Sequence, residues 1–216
     1  MKADGLILIT NNDKTGKMIR HCSMPVVVVD RHVEDGGELA QIESDHYQGG
    51  CLAARCLVEK GCRFIVCMRG PQAFASGRMR FQGYKDVCRE HHMKVRYVET
   101  EYNFESGEKA AGKMLKRFPD LDGVVAANDM VALSTYKVLT GNGKRVPEDV
   151  MIVGFDDIGF SKLVTPALTT IRQPIREMGK KAIDIICKSI QGEPYEKDNV
   201  FAVTLVERET TIPLIS

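Results

Sequence analysis

Residues 50–67, GCLAARCLVEKGCRFIVC, decide the fold. Leu52, Ala53, Cys56 and Leu57 recur at helical spacing on one face, Gly61 suits the left-handed residue that ends a helix, and Arg63–Cys67 is a short apolar run with strand character. A helix stopped by glycine and followed at once by a buried strand is half of a β-α-β unit, and the alternation continues downstream. Helix Arg80–His91 leads to strand Val95–Val98. Helix Ser106–Phe118, with Ala110, Ala111, Met114 and Leu115 inward, leads to strand Gly123–Ala126. Asn128-Asp129 caps a helix running to Leu139, and strand Val150–Val153 follows the connector TGNGKRVPED. The spacing predicts an α/β protein with parallel sheets flanked by helices.

The flanks are sparser. Upstream lie only Gly5–Ile9, Pro25–Val29 and Ala40–Glu43, with one candidate helix in Asp13–Cys22; downstream lie Leu168–Ile171, a helix Ile175–Ile190 begun by Pro174 and ended by Gly192, and strand candidates in Val200–Ile212. A parallel sheet needs both faces covered, and these pieces supply few helices. The expectation is two lobes: residues 1–43 with 166–203 as an incomplete N-terminal lobe, and 44–165 with 204–216 as the C-terminal lobe.

Composition narrows the function. The 216 residues carry 30 Lys+Arg against 29 Asp+Glu, a net charge of +1, too little excess for this chain alone to hold a nucleic-acid backbone or anionic membrane. No run approaches the roughly 18 apolar residues of a membrane span, and the opening MKADGLILITNND is too short in its apolar part for a signal peptide. Seven cysteines without a CxxC fit free thiols in a reducing compartment, so the protein reads as cytoplasmic. Cys51, Cys56, Cys62 and Cys67 are too widely spaced for structural zinc, Cys88, His91 and His92 end a helix, and Gly16-Lys17 lacks the rest of a phosphate loop. Asp156-Asp157 with Asp30 could be a pair of glycosidase carboxylates, but nothing fixes their separation. No metal, cofactor or enzymatic activity is expected.

In open α/β sheets ligands lie beyond the carboxyl ends of strands. The first polar residues after each apolar run are Asp30 after PVVVV, Arg78 and Arg80 in SGRMRFQGY, Asn128 after GVVAA, and Asp156 and Asp157 after MIVGF. A guanidinium fork, an amide and carboxylates form a mixed donor and acceptor set that suits the vicinal hydroxyls of a neutral polyol or nucleoside. With no Trp, stacking falls to Phe74 or Phe160.

MIVGFDDIGFSKLVTPALTTIRQP, GVVAANDMVAL and SGRMRFQGY, with KADGLILIT, PVVVVDR, SDHYQGGCLAARCLVEKG and LVERETT, together resemble the LacI/GalR family of transcriptional regulators over nearly the whole chain, nearest its ribose-repressor-like branch. The resemblance implies a two-lobed, periplasmic-binding-protein-like effector domain, homodimeric, that senses a sugar-like small molecule and passes its state to a DNA-binding headpiece. It places the family's ligand Arg on Arg80, its Asn on Asn128 and its Asp on Asp156, with Asp30 on the first-lobe side, and hinge crossings near Glu43–Asp45, Phe155–Ile158 (or onward to Leu168) and Val203–Glu207. Against that pattern the headpiece and the first strand, helix and next strand of the first lobe have no counterpart here, so the expectation is an N-terminally shortened domain reaching DNA only through a headpiece absent from this chain. The alternative is a solute-binding component of a sugar uptake system.

Overall fold

The computed structural model describes residues 3–9, 19, 22, 24–30 and 39–212, and its chain divides into two compact units. The first comprises Met1–Asp45, Phe74–Ser76 and Pro174–Ala202; the second comprises His46–Ala73, Gly77–Gln173 and Val203–Ser216.

In the first unit β1 (Leu6–Leu8), β2 (Val26–Val29), β3 (Ala40–Ser44) and β9 (Asp198–Phe201) form a parallel sheet in the order β1-β2-β3-β9. The VVVV run of β2 is buried at every position because both sheet faces are covered. Val27 and Val29 pack with Ile42 against Met178, Ala182 and Ile185 of helix α5 (Ile175–Gln191), while Val26 and Val28 join Leu6, Leu8 and Ile19 on the other face. Gly192 ends α5 with φ 72, and its N–H and that of Glu193 satisfy the last carbonyls, as the sequence predicts. The candidate helix Asp13–Cys22 and the Gly16-Lys17 pair lie outside the described residues, apart from Ile19 and Cys22.

The second unit is a six-stranded sheet in the order β10-β8-β7-β6-β4-β5, parallel except for β10. Its strands are β4 (Ile65–Arg69), β5 (Tyr97–Glu99), β6 (Gly123–Val125), β7 (Met151–Asp156), β8 (Thr169–Arg172) and β10 (Thr204–Val206). Helices α1 (His46–Glu59) and α2 (Ala75–Glu90) share one core with Val125, Val153 and Phe155, and α3 (Phe104–Arg117) and α4 (Asp129–Gly141) share another with Val66, Val124 and Ile152. Covered faces explain the continuous apolar strand sequences.

Two expectations are corrected. The segment from 166 to 173 belongs with the second unit: β8 pairs with β7 on one side and β10 on the other, and its polar threonines are fixed there, Thr169 by Thr210, Thr211 and the Arg208 carbonyl, and Thr170 by Asp129. The chain therefore passes between units at Asp45–His46, Gln173–Pro174 and Ala202–Val203, and briefly around Phe74–Ser76, with no crossing at Phe155–Leu168. Helix α1 also begins four residues earlier than Gly50. Glycine is a poor helix former, yet both glycines sit inside α1 because a side chain would collide there: a Cβ on Gly50 would lie 2.1 Å from the Arg80 carbonyl oxygen, and one on Gly49 would lie 2.5 Å from the Phe155 ring.

Cys51, Cys56, Cys62, Cys67 and Cys88 lie in the α1–α2 core, and burial raises their thiol pKa values where a shift is resolved, Cys56 to about 11 and Cys62 to about 12. Such thiols are packing groups, not nucleophiles or ligands.

Candidate ligand-binding site

The carboxyl ends of β4, β6 and β7 open on the Arg80 side chain, which reaches over the sheet from the second turn of α2. Its guanidinium is fixed on several sides. Nη1 donates to the Ala127 carbonyl at 2.8 Å, Nε donates to His46 Nδ1 at 3.4 Å, and the carbon of the fork lies 3.5 Å from the centre of the Phe155 ring and 5.7 Å from that of Tyr102. Nη2 lies 3.7 Å from Asp156 Oδ1. An arginine has five N–H donors; two are used here, and those on Nη2 face the space beside Asp156. The side chain is only 13% exposed, so it is held in place before any ligand arrives.

Asp156 ends β7 with φ 115, followed by Asp157 at φ 55, a pair of left-handed residues that together cost a few kcal/mol, about 1–3 each. The surroundings enforce the turn. Asp157 accepts from Arg172 Nε at 2.6 Å and Arg208 Nη2 at 2.5 Å and is 5% exposed, whereas Asp156 is turned the other way, 28% exposed, with Oδ1 accepting from Gln173 Nε2 at 2.7 Å. One carboxylate of the pair thus anchors the backbone and the other faces the site, a division of labour that removes Asp157 from any acid–base pair.

Asn128 caps α4: Oδ1 accepts from the Val131 N–H at 3.0 Å and Nδ2 donates to the Tyr102 carbonyl at 3.2 Å. Asp129 is fully buried and accepts from the Ile158 N–H, Ser161 Oγ and Thr170 Oγ1 at 2.9, 2.6 and 2.5 Å, tying α4 to the turn after β7 and to β8. Arg78, the other arginine of SGRMR, donates to the Gln72 and Ala73 carbonyls and so holds the loop before α2. The structure thus brings Arg80 and Asp156 together and sets Asn128 behind them. Asp30 belongs to the first unit, half-buried at the end of β2 with φ 61 and its N–H on the Ile42 carbonyl. Phe74 is half-buried just before α2 and is grouped with the first unit, and Phe160 is 67% exposed.

Sequence reasoning missed His46, Tyr102, Phe155 and Gln173. Gln173 was open to the same strand-end rule, since it follows TTIR as Asp156 follows MIVGF. His46 and Tyr102 act by supporting Arg80 and Asn128, a relation that has no sequence spacing.

The two buried carboxylates titrate in opposite senses. Burial raises the Asp129 pKa despite three donors, so its ionisation penalises folding, and acid relieves that penalty as pH falls through the raised value. Burial also pushes Asp157 upward, but Arg208 and Arg172 outweigh it and hold its carboxyl below the usual range; its stabilisation is complete above the unfolded value of about 3.9 and is lost as pH falls through the lower folded value. Stability is therefore expected to fall most steeply below pH ~4, and Asp157→Asn to flatten that fall. Melting temperatures of both proteins measured from pH 6 to pH 2 check it; parallel profiles would sink the assignment.

Among the described residues no helix is long and apolar enough to cross a membrane, and no cluster of His, Cys, Asp or Glu is placed to hold a metal ion. Residues 54–211 match the family of periplasmic binding protein-like domains. The chain is 34% identical over 209 residues to a ribose operon repressor of Halalkalibacterium halodurans, covering 96% of this chain and 62% of the relative. It superimposes on the complex of the transcriptional regulator CelR with cellobiose at a TM-score of 0.89 with 31% identity, covering 96% of this chain and 65% of that one. A periplasmic binding protein/LacI transcriptional regulator from Alkaliphilus metalliredigens QYMF, complexed with D-xylulofuranose, gives 0.86 with 31% identity and covers 97% and 78%. The chain spans about three fifths of the length of the curated relatives it matches. On this fold and these matches, the chain belongs to the periplasmic binding protein-like domain family, in the company of LacI-type regulators.

Proposed function

We propose that this chain is the sugar-sensing effector domain of a LacI-type regulator of carbohydrate genes, acting in the cytoplasm as a homodimer and reaching DNA through a headpiece outside this chain. The observation that carries the reading is the Arg80 guanidinium, locked against Phe155, Ala127 and His46 with unused donors beside the Asp156 carboxylate. A donor fork next to an acceptor fits two neighbouring hydroxyls, and the aromatic backing excludes water from that contact. Asn128 supports the same corner, while Asp30, from the strand-end rule and the family resemblance, and Phe74, as a stacking ring, stay in the proposed ligand set. A sugar shifts the regulator only by binding one of its states more tightly, and Arg80 with Asp156 is where that difference arises.

Thermal melts of the chain with D-ribose, D-xylulose, cellobiose and a wider sugar panel test it. A cognate sugar at 100 times its Kd adds about 2.7 kcal/mol, roughly 5–10 °C for a protein of this size. No shift with any sugar at saturating concentration would remove the reading.

A further inference from the structure

Next to the Arg80 site, within the second unit, runs a groove of about 400 Å³ lined in part by Gln72, Ala73, Glu99, Thr100, Glu101 and Ser106. Arg69 and Gly70 are walls both of this groove and of the small cavity beneath Arg80 and Phe155. We propose that the groove takes a second, neutral sugar ring, so that the effector is a disaccharide or similar glycoside and not a monosaccharide or sugar phosphate. This rests on the sugar-sensing reading above.

Space argues for it first. The cavity below Arg80 holds about 20 Å³, room for one water, whereas the groove falls within the roughly 300–1,000 Å³ of small-molecule pockets. A ligand held by Arg80 has no room below it and can extend sideways into the groove. The two spaces meet at Gly70, where a Cβ would lie 2.7 Å from the Tyr102 ring that packs 5.7 Å from the Arg80 fork, so only glycine fits there.

The lining has the chemistry of hydroxyl recognition. Ser106 Oγ accepts from the Glu101 N–H and lies 3.3 Å from Thr100 Oγ1, whose one proton goes to the Glu101 carbonyl at 3.0 Å, so the two hydroxyls offer lone pairs to a ligand O–H. Gln72 spends one amide proton on the Gly70 carbonyl and keeps another, together with its oxygen. Glu101 adds an acceptor. Arg69 does not make the groove an anion site: its guanidinium is paired with Glu99 and packed over the rings of Tyr97 and Phe81, so with Glu101 included the carboxylates outnumber the cation. A phosphate would meet net repulsion there, and a hydroxylated ring would not.

Titration calorimetry of the chain with cellobiose, maltose, lactose and sucrose, their component monosaccharides, D-ribose and glucose 6-phosphate tests the proposal. At least one disaccharide is expected to bind about tenfold or more tighter than any monosaccharide, and glucose 6-phosphate no tighter than glucose. Ala73→Trp, at an exposed loop position, fills the groove and brings that disaccharide to within about threefold of the monosaccharide, whose own Kd stays unchanged. Ser106→Ala and Gln72→Ala reduce the gain less. A pentose or hexose that matches every disaccharide, a preference for the phosphate, or a disaccharide gain that survives Ala73→Trp would each overturn the proposal. If sugars of neither size bind, the sugar-sensing reading fails with it, an outcome separate from binding without size preference.

Discussion

Arg80→Ala is expected to weaken binding of the cognate sugar by about 2–4 kcal/mol, roughly 30- to 1,000-fold. The side chain is 13% exposed, and its loss takes away the donors facing the ligand while leaving the Asp156 carboxylate beside an apolar hollow over Phe155. Two effects add: sugar hydroxyls lose their donors, and Asp156 loses a neighbouring cation. Arg80→Lys should recover little, because an ammonium cannot bond Ala127 and His46 from one planar group while lying flat on a ring. Calorimetric titration of wild type and both variants decides the matter, with circular dichroism to show that the fold survives. A loss below about 0.5 kcal/mol for Arg80→Ala, within the ordinary scatter of surface substitutions, would take Arg80 out of the site.

Gly83→Ala is expected to cost about 3 kcal/mol or more of stability and to lower the melting temperature by roughly 6–12 °C. A Cβ there would lie 2.3 Å from the Tyr47 carbonyl oxygen and 2.7 Å from the Cys51 nitrogen, and the reciprocal position, Gly50, faces the Arg80 carbonyl. These are backbone atoms, so no rotamer relieves the clash, and α1 and α2 must move apart. The displacement falls on the backbone that carries Arg80 and His46, so sugar affinity is expected to fall along with stability. Gly112→Ala is the matched control, since a Cβ there meets nothing within 4 Å and alanine favours the helix. Differential scanning calorimetry of the three proteins suffices, and a Gly83→Ala midpoint within about 2 °C of wild type would contradict the helix contact.

The legible part of this molecule was local. Buried runs such as VVVV, GVV and MIVGF announce parallel strands because both faces of the sheet are covered, and Asn128 and Gly192 mark helix ends by their own backbone chemistry. What stayed hidden was pairing at long range. Nothing in LTTIR states which sheet it joins; hydrogen bonds from Thr169 and Thr170 to residues about 40 positions away decide that. The same holds in the site. Arg80 and Asp156 were reachable by the strand-end rule, but Asp156 and its neighbour Asp157 are told apart by distant partners such as Arg172 and Arg208, and the support from His46 depends on helices brought close by two glycines.

The second unit is discontinuous: its sheet is built from residues 65–172 and is completed only by β10, after the chain has spent Pro174–Ala202 in the first unit. During synthesis β8 therefore stands as an open edge, its outer hydrogen-bonding groups and the Thr169 hydroxyl awaiting Thr204–Val206 and Thr210–Thr211. At a translation rate of about 5–20 residues per second that interval lasts seconds, the window in which an unpaired strand can recruit another nascent chain. The ribosome, in delivering β10 late, sets the period for which that edge stays unpaired.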